Sequence, residues 1–333
     1  MKHPPHLAIV GATGAVGMEI LRVLERRNFP VGNLTLLASP RSAGKTLEFR
    51  GNTYPVKTLA IDAFTGVDIA LFSAGASITR EFAPAAIASG SIVVDNSSAH
   101  RMDDAVPLVI PEVNAAAALT HHGLIANPNC TTAVSLMAIA PLHRAFGVKT
   151  IVASSYQAVS GTGARAITEL EDQVKAWQTG AHIAPEIYPH PIAFNLIPRI
   201  DAMADNGYTK EEMKFQNETR KILEAPGIRA SITCVRVPVF RAHSVACTVQ
   251  CERPVTVASA REVWAGAAGL QVRDEPASDQ YPMPLHAAGM DDCLVGRARM
   301  DLALENAITF WISGDQLLKG AALNAVQIAE LLL

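Results

Sequence analysis

From Leu7 to about His143, short β-branched runs alternate with amphipathic stretches: LAIV, GMEILRVLERR, LTLLA, VDIALF, REFAPAAIAS, SIVVD and PLVI. Strands interleaved with helices build βαβ units, so the pattern predicts an α/β, Rossmann-like, doubly wound parallel sheet. Past Lys149 the texture changes. A long β run, TIVASSYQAV, precedes a helix from Arg165 to Thr179, a Pro-rich stretch from Pro185 to Pro198, and a charged helix from Thr209 to about Glu224. The runs SITCVRV, SVACTVQC and LALENAITFWI then predict an α+β domain on a mainly antiparallel sheet. The closing DQLLKGAALNAVQIAELLL has apolar positions at helical spacing, and Ala115–Leu119 is a short helix candidate. The expected division is residues 1–129 plus the C-terminal helix 315–333 as one domain, and 130–314 as the other.

Length agrees with two domains, because 333 residues exceed what one hydrophobic core usually supports. A net charge of -3 and the lack of any Lys/Arg run exclude an electrostatic footprint for nucleic acid or an anionic membrane. The start, MKHPPH, has no apolar signal core, and no apolar stretch is long enough to span a bilayer, so a cytoplasmic protein is expected. Five cysteines without a CxxC pair argue against a disulfide framework or a Cys-based zinc site. No HExxH or His/carboxylate cluster suggests a metal. The 49% hydrophobic content suits a protein with a buried subunit interface.

Two stretches carry candidate chemistry. LAIV runs into Gly11-Ala-Thr13-Gly14-Ala15-Val16-Gly17 and then a helix, where glycines let the backbone approach a pyrophosphate seated on unpaired helix amides. The second strand ends at Ser39-Pro-Arg41-Ser42, where NAD enzymes usually place an acidic residue. A cation among hydroxyls suits a 2′-phosphate, which favours NADP(H); a solvated loop arginine is the plain alternative. Ser73, Gly75, Asn96 and Ser97 close two further parallel strands, where such a sheet binds its ligand. Cys130, in NPNCTT, stands between a strand and an apolar helix, at the positive end of the helix dipole that favours a thiolate. Cys234, Cys247, Cys251 and Cys293 read as inert core positions.

The set GATGAVG, SPRSAG, DNSSAHR, NPNCTT, SYQAVSGTG, EEMK…NETRKIL, RVPVFRAHS and GDQLLKGAALNAVQIA resembles the aspartate-semialdehyde dehydrogenase family from Leu7 to about Ala329, in the same order. The resemblance implies NADPH-dependent reductive dephosphorylation of L-aspartyl 4-phosphate to L-aspartate 4-semialdehyde. That step leads to lysine (by way of diaminopimelate), threonine and methionine, and the family works as a homodimer. It implies Cys130 as nucleophile and His243 as acid/base partner, with Gln157 positioning the substrate carbonyl. Arg236 would hold the α-carboxylate, with Glu211 also on the substrate, while Arg101 and Lys214 would bind phosphate. Ser160, Gly161, Gly163 and Gln316 join the cofactor contacts. Without the family, Glu211 and Lys214 read as a surface ion pair, Gln157 as a buried amide and His243 as a core histidine.

Arg236 and His243 stand seven positions apart and would face opposite ways on one strand, so the chain must break between Pro238 and Ala242. Departures from the family are SVA after His243, where an acidic residue often follows the serine, and SGTG for SGAG. N-acetyl-glutamyl-phosphate reductase shares the chemistry, but its Gly-Cys-Tyr context differs from NPNCTT. A catalytically inert NADP-binding paralogue is the non-enzymatic rival.

Overall fold

The structure, a computed structural model, describes residues 3–333. The chain forms two compact units: the first runs to Asn129 and takes in Ala321–Leu333, and the second is Cys130–Gly320.

The first unit contains β1 (His6–Val10), α1 (Ala15–Arg26), β2 (Asn33–Ala38), β3 (Thr46–Phe49), β4 (Asn52–Thr58), β5 (Ile69–Phe72), α2 (Ala76–Ala88), β6 (Ile92–Asp95), the single turn α3 (Pro111–Asn114) and β7 (Leu124–Ala126). Its seven-stranded sheet runs β3-β4-β2-β1-β5-β6-β7 and is parallel except at the β3/β4 hairpin. Strands such as β5, IALF, are buried on both faces, which is why they read as unbroken apolar runs. Phe64 stacks on Phe72 at 5.8 Å within this core. PLVI is not a strand: only Leu108 bridges to Ala126, and Pro107 and Pro111, which lack an N–H, bracket the run. Ala115–Thr120 is a 3₁₀ helix.

The second unit contains α4 (Cys130–Phe146), β8 (Val148–Gln157), α5 (Ala164–Gln178), α6 (Lys210–Ile222), β9 (Arg229–Arg236), β10 (His243–Cys251), α7 (Val257–Ala265), β11 (Leu270–Val272), α8 (Pro284–Ala287), β12 (Cys293–Met300) and β13 (Ala307–Gly314). The sheet order is β11-β12-β13-β10-β8-β9, with antiparallel pairs from β12 to β8 and a parallel pair at each edge. Helices α4, α6 and α7 cover one face, and Trp264 Nε1 donates to the Ala138 carbonyl at 2.9 Å between two of them. On the other face, Tyr156 and Trp311 lie 5.1 Å apart, both half-buried, beside Val152, which is 49% exposed. In LALENAITFWI, only the part from Ala307 pairs. Asp301 accepts from the Ala303 and Leu304 amides at 2.9 and 2.8 Å and turns the chain first.

The chain ends in α9 (Leu323–Glu330), entered through one π-helical turn at Leu318–Ala322. Within the first unit α9 packs on α1, α3 and β6. Its Asn324 donates to the Val109 carbonyl (2.9 Å) and to Asn127 Oδ1 (2.5 Å), both buried.

Candidate active site

In the first unit, β1 turns into α1 through the glycine loop. Gly11 has φ +86°, and a Cβ there would meet the Ser73 carbonyl oxygen at 2.5 Å; one on Gly17 would collide with the Gly11 carbonyl. These two positions therefore hold the loop against the sheet and leave the α1 N-terminus open. Gly14 caps α1 without a side-chain bond, and its first turn carries no acid, so a pyrophosphate fits there. Thr13 Oγ1 donates to Ser42 Oγ at 3.2 Å, which joins this loop to the end of β2, where Ser39 and Arg41 are exposed. Ser73 and Gly75 follow β5 on the same edge of the sheet. Arg101, 7% exposed, is held by carbonyls: Nε donates to Asn127 O and Nη2 to Asn96 O, each at 2.8 Å.

In the second unit, β8 is the organiser. Its last residue, Gln157, is paired in register with Arg236, and Ser244, next to His243, is paired with Tyr156. Arg236 and His243 thus come to the same end of the sheet on the two strands flanking β8. Between them the backbone reverses, and Ala242 takes φ +72°, unusual for a residue with a Cβ. That turn is the break required by the seven-residue spacing.

Ala158 ties the pair together: its amide donates to His243 Nδ1 at 3.1 Å, and its carbonyl accepts from Arg236 Nη1 at 2.7 Å. An Nδ1 that accepts leaves the neutral ring's proton on Nε2. His243 Nε2 and Arg236 Nε are both buried and have no hydrogen-bond partner among the described residues. Burial, and then the neighbouring Arg236 charge, push the His243 pKa well below its ordinary value, so the ring is neutral at physiological pH. Gly161 lies over both: a Cβ there would sit 3.1 Å from Arg236 Nη1 and 3.3 Å from His243 Nε2.

The thiol belongs to the same cluster. Cys130 is half-buried as the first residue of α4. A Cβ on Gly320 would come within 2.7 Å of Cys130 Cβ and 3.4 Å of Gln316 Cβ. Gln316 in turn accepts from the Ala242 amide at 2.8 Å and donates to Ser160 Oγ at 2.5 Å. Gln157 is 2% exposed and donates from Nε2 to Ser155 Oγ (3.1 Å), with Glu211 Oε1 at 3.5 Å. Glu211 and Lys214 share one face of α6, whose start is fixed by a capping box of Thr209 with Glu212. Lys214 Nζ lies 3.2 Å from Glu211 and 2.8 Å from Asp201. Burial works against its charge, but Glu211 and Asp201 outweigh it and hold the Lys214 pKa above the usual value. Gly163, at φ +110°, starts α5.

Two family models match: the NAD binding domain of semialdehyde dehydrogenases over residues 6–121, and their dimerisation domain over 139–319. The aspartate-semialdehyde dehydrogenase of Aquifex aeolicus is 50% identical over 98% of this chain and 97% of its own. The chain belongs to the aspartate-semialdehyde dehydrogenase family. The family member from Synechocystis is 49% identical over 100% of this chain and 98% of its own. The crystal structure of aspartate semialdehyde dehydrogenase II from Vibrio cholerae, complexed with ASA, superposes with TM-score 0.97 at 42% identity, covering 99% of this chain and 98% of that one.

Within that family frame, several residues that support the cluster were not singled out by the sequence. Asp315 is fully buried and accepts from Arg241 Nε (2.5 Å) and the Gly289 amide (2.6 Å), and so anchors the turn that delivers His243. Ser155, which opens SYQAVSGTG, and Asp201, outside any motif, hold Gln157 and Lys214. Among the described residues no His, Cys, Asp or Glu cluster forms a metal site, and no helix is long and apolar enough to cross a membrane.

Proposed function

We propose that this chain reduces L-aspartyl 4-phosphate to L-aspartate 4-semialdehyde, releasing phosphate, through a thioester on Cys130. The observation that carries the reading is the pair of buried, unpartnered donors, Arg236 Nε and His243 Nε2, beneath Gly161. Leaving such donors unsatisfied costs about 1–3 kcal/mol each, and a bound substrate offsets it. Arg236 offers its free edge to the α-carboxylate, and Glu211 faces the α-ammonium. Lys214 and Arg101 neutralise the acyl phosphate. The Cys130 sulfur, at the positive end of α4, forms a bond to the acyl carbon while the carbon–oxygen bond to phosphate breaks and phosphate leaves with its bonding pair. NADPH, when bound, supplies the hydride that reduces the thioester carbon. His243 donates a hydrogen bond from its neutral Nε2–H to the oxyanion of the resulting tetrahedral carbon, and Gln157 steers that oxygen. Collapse then returns the thiolate and frees the aldehyde.

Residues 1–129 with the terminal helix act as the cofactor domain. Gly11, Thr13, Gly14, Ala15 and Val16 take the pyrophosphate, Ser73 and Gly75 border it, and Ser39, Arg41 and Ser42 take the 2′-phosphate that favours NADP(H) over NAD. Residues 130–314 act as the catalytic and dimerisation domain, in which Ser160, Gly161, Gly163 and Gln316 serve the nicotinamide end. The sheet face that α4, α6 and α7 leave uncovered, with Tyr156, Trp311 and Val152 on it, supports a homodimer, since partly exposed aromatic and aliphatic side chains on such a face suit an isologous contact. The reading places the protein in the cytoplasm, where its five free thiols stay reduced.

The test follows NADPH formation from aspartate semialdehyde, NADP and phosphate, beside N-acetyl-glutamate semialdehyde. Phosphate-dependent turnover of the first substrate supports the reading. Turnover of only the acetylated one moves the chain to the sister activity.

A further inference from the structure

The Arg236 guanidinium spends one of its donors on the Ala158 carbonyl, and among the described residues no other hydrogen-bond partner meets it. A guanidinium tethered at one corner can still pivot about that bond. Two parallel N–H groups recognise a carboxylate only if the plane is held. The plane is bounded by Tyr188: Arg236 Cζ lies 5.9 Å from the centroid of the tyrosine ring, within cation–π range. The ring is itself anchored, because the Tyr188 hydroxyl donates to Thr162 Oγ1 at 2.9 Å, with the Val159 carbonyl at 3.4 Å.

The segment that carries Tyr188 has no regular structure of its own, and α5 supplies what holds it. Glu169, 5% exposed, accepts from the Glu186 and Ile187 amides at 3.2 and 2.6 Å. Gln173, 3% exposed, accepts from the Ile192 and Ala193 amides at 2.8 and 2.9 Å and donates to the Ala184 carbonyl at 3.1 Å. Gln173 also donates to Glu169 at 2.9 Å, so the two side chains form one buried clamp. A clamp on both sides of Tyr188 fixes the ring more tightly than a solvated loop needs.

We propose that Tyr188 is a positioning residue for Arg236: its ring holds the guanidinium plane so that the free Nε/Nη2 edge stays aimed at the substrate α-carboxylate. This rests on the reading of Arg236 as the carboxylate ligand. The role is specific to one end of the substrate, so the effect belongs in the KM for aspartate semialdehyde and not in the KM for phosphate or NADP.

The experiment measures all three KM values and kcat for Tyr188→Leu, Tyr188→Phe, Thr162→Val, Arg236→Lys and the double variant Tyr188→Leu/Arg236→Lys. Removing the ring should raise the aspartate semialdehyde KM roughly tenfold, the size of a partly desolvated cation–π contact. Keeping the ring without its anchor, in Tyr188→Phe or Thr162→Val, should raise it about threefold, with the other KM values within about twofold. In the Arg236→Lys background the Tyr188→Leu effect should shrink to about twofold, because a residue acting through Arg236 has little left to act on. Additive effects, or equal rises in all three KM values, overturn the proposal while leaving Arg236 as the ligand. An unchanged aspartate semialdehyde KM in Arg236→Lys overturns the Arg236 reading and the proposal with it. Should Tyr188→Leu fail to fold, Thr162→Val and Tyr188→Phe decide: no selective rise in either refutes the role.

Discussion

Gly161→Ala separates catalysis from stability more cleanly than any other single change. Its φ is not positive, so alanine meets no backbone penalty, and Gly→Ala at a compatible site stabilises by about 0.4–1 kcal/mol through the unfolded chain. The new methyl would nevertheless lie 3.1 Å from Arg236 Nη1, 3.2 Å from His243 Cε1 and 3.3 Å from His243 Nε2. Ordinary contact needs a few tenths of an ångström more at each, and both side chains are buried with little room to yield. A misplacement of about 1 Å costs roughly a hundredfold in rate, so shifts of this smaller size should lower kcat/KM about tenfold. Phosphate-dependent NADPH formation reads the first quantity, and the urea midpoint reads the second. A variant with kcat/KM within about twofold of the parent, at an equal or higher midpoint, would refute the idea that Gly161 roofs the reacting groups.

Three further outcomes follow from the same geometry. Asp315→Ala should lower stability by about 3 kcal/mol in urea unfolding, because Arg241 and the Gly289 amide lose a fully buried acceptor; a loss under about 1 kcal/mol would show that the clamp is dispensable. His243 is held neutral, with a folded pKa well below that of the unfolded chain at about 6.5, so its contribution is full above that pH and is lost as pH falls through the window beneath it. Urea midpoints of the parent should therefore fall more steeply below about pH 6.5 than those of His243→Asn, and parallel curves would contradict the assignment. Native protein treated with iodoacetamide should be labelled at Cys130, since Cys234 and Cys251 are buried with pKa values pushed up to about 12 and about 11, and Cys247 is raised still further. Labelling of Cys234 before Cys130 would count against the assigned nucleophile.

The parallel sheet was legible because its strands are apolar throughout and its helices amphipathic. The β3/β4 hairpin was not: β4 reads NTYPVKT, polar and proline-bearing, and its turn uses positive φ at Arg50 as well as Gly51. Strand β12, CLVGRARM, escaped for a related reason, since Gly296 and the bulge before Arg299 break its alternation. In the candidate site, residues within dense motifs were the ones the sequence singled out, Cys130 and His243 above all. Asp315, although inside GDQLLKGAALNAVQIA, and Tyr188, outside any motif, were not, because what they hold is set by contacts such as Asp315 to Arg241, made across 74 residues of chain. Glu211 and Lys214 form the ion pair that simple helix spacing predicts, and the bond to Asp201 and the proximity of Gln157 add what spacing cannot show.

The central claim is the covalent step on Cys130, and a single-turnover experiment without phosphate tests it most directly. Enzyme mixed with aspartate semialdehyde and NADP should release NADPH in a burst of about one equivalent per chain, then stall with an aspartyl adduct on the Cys130 peptide that phosphate discharges. Sustained phosphate-dependent turnover with neither burst nor adduct, or retained activity in Cys130→Ser, would contradict it.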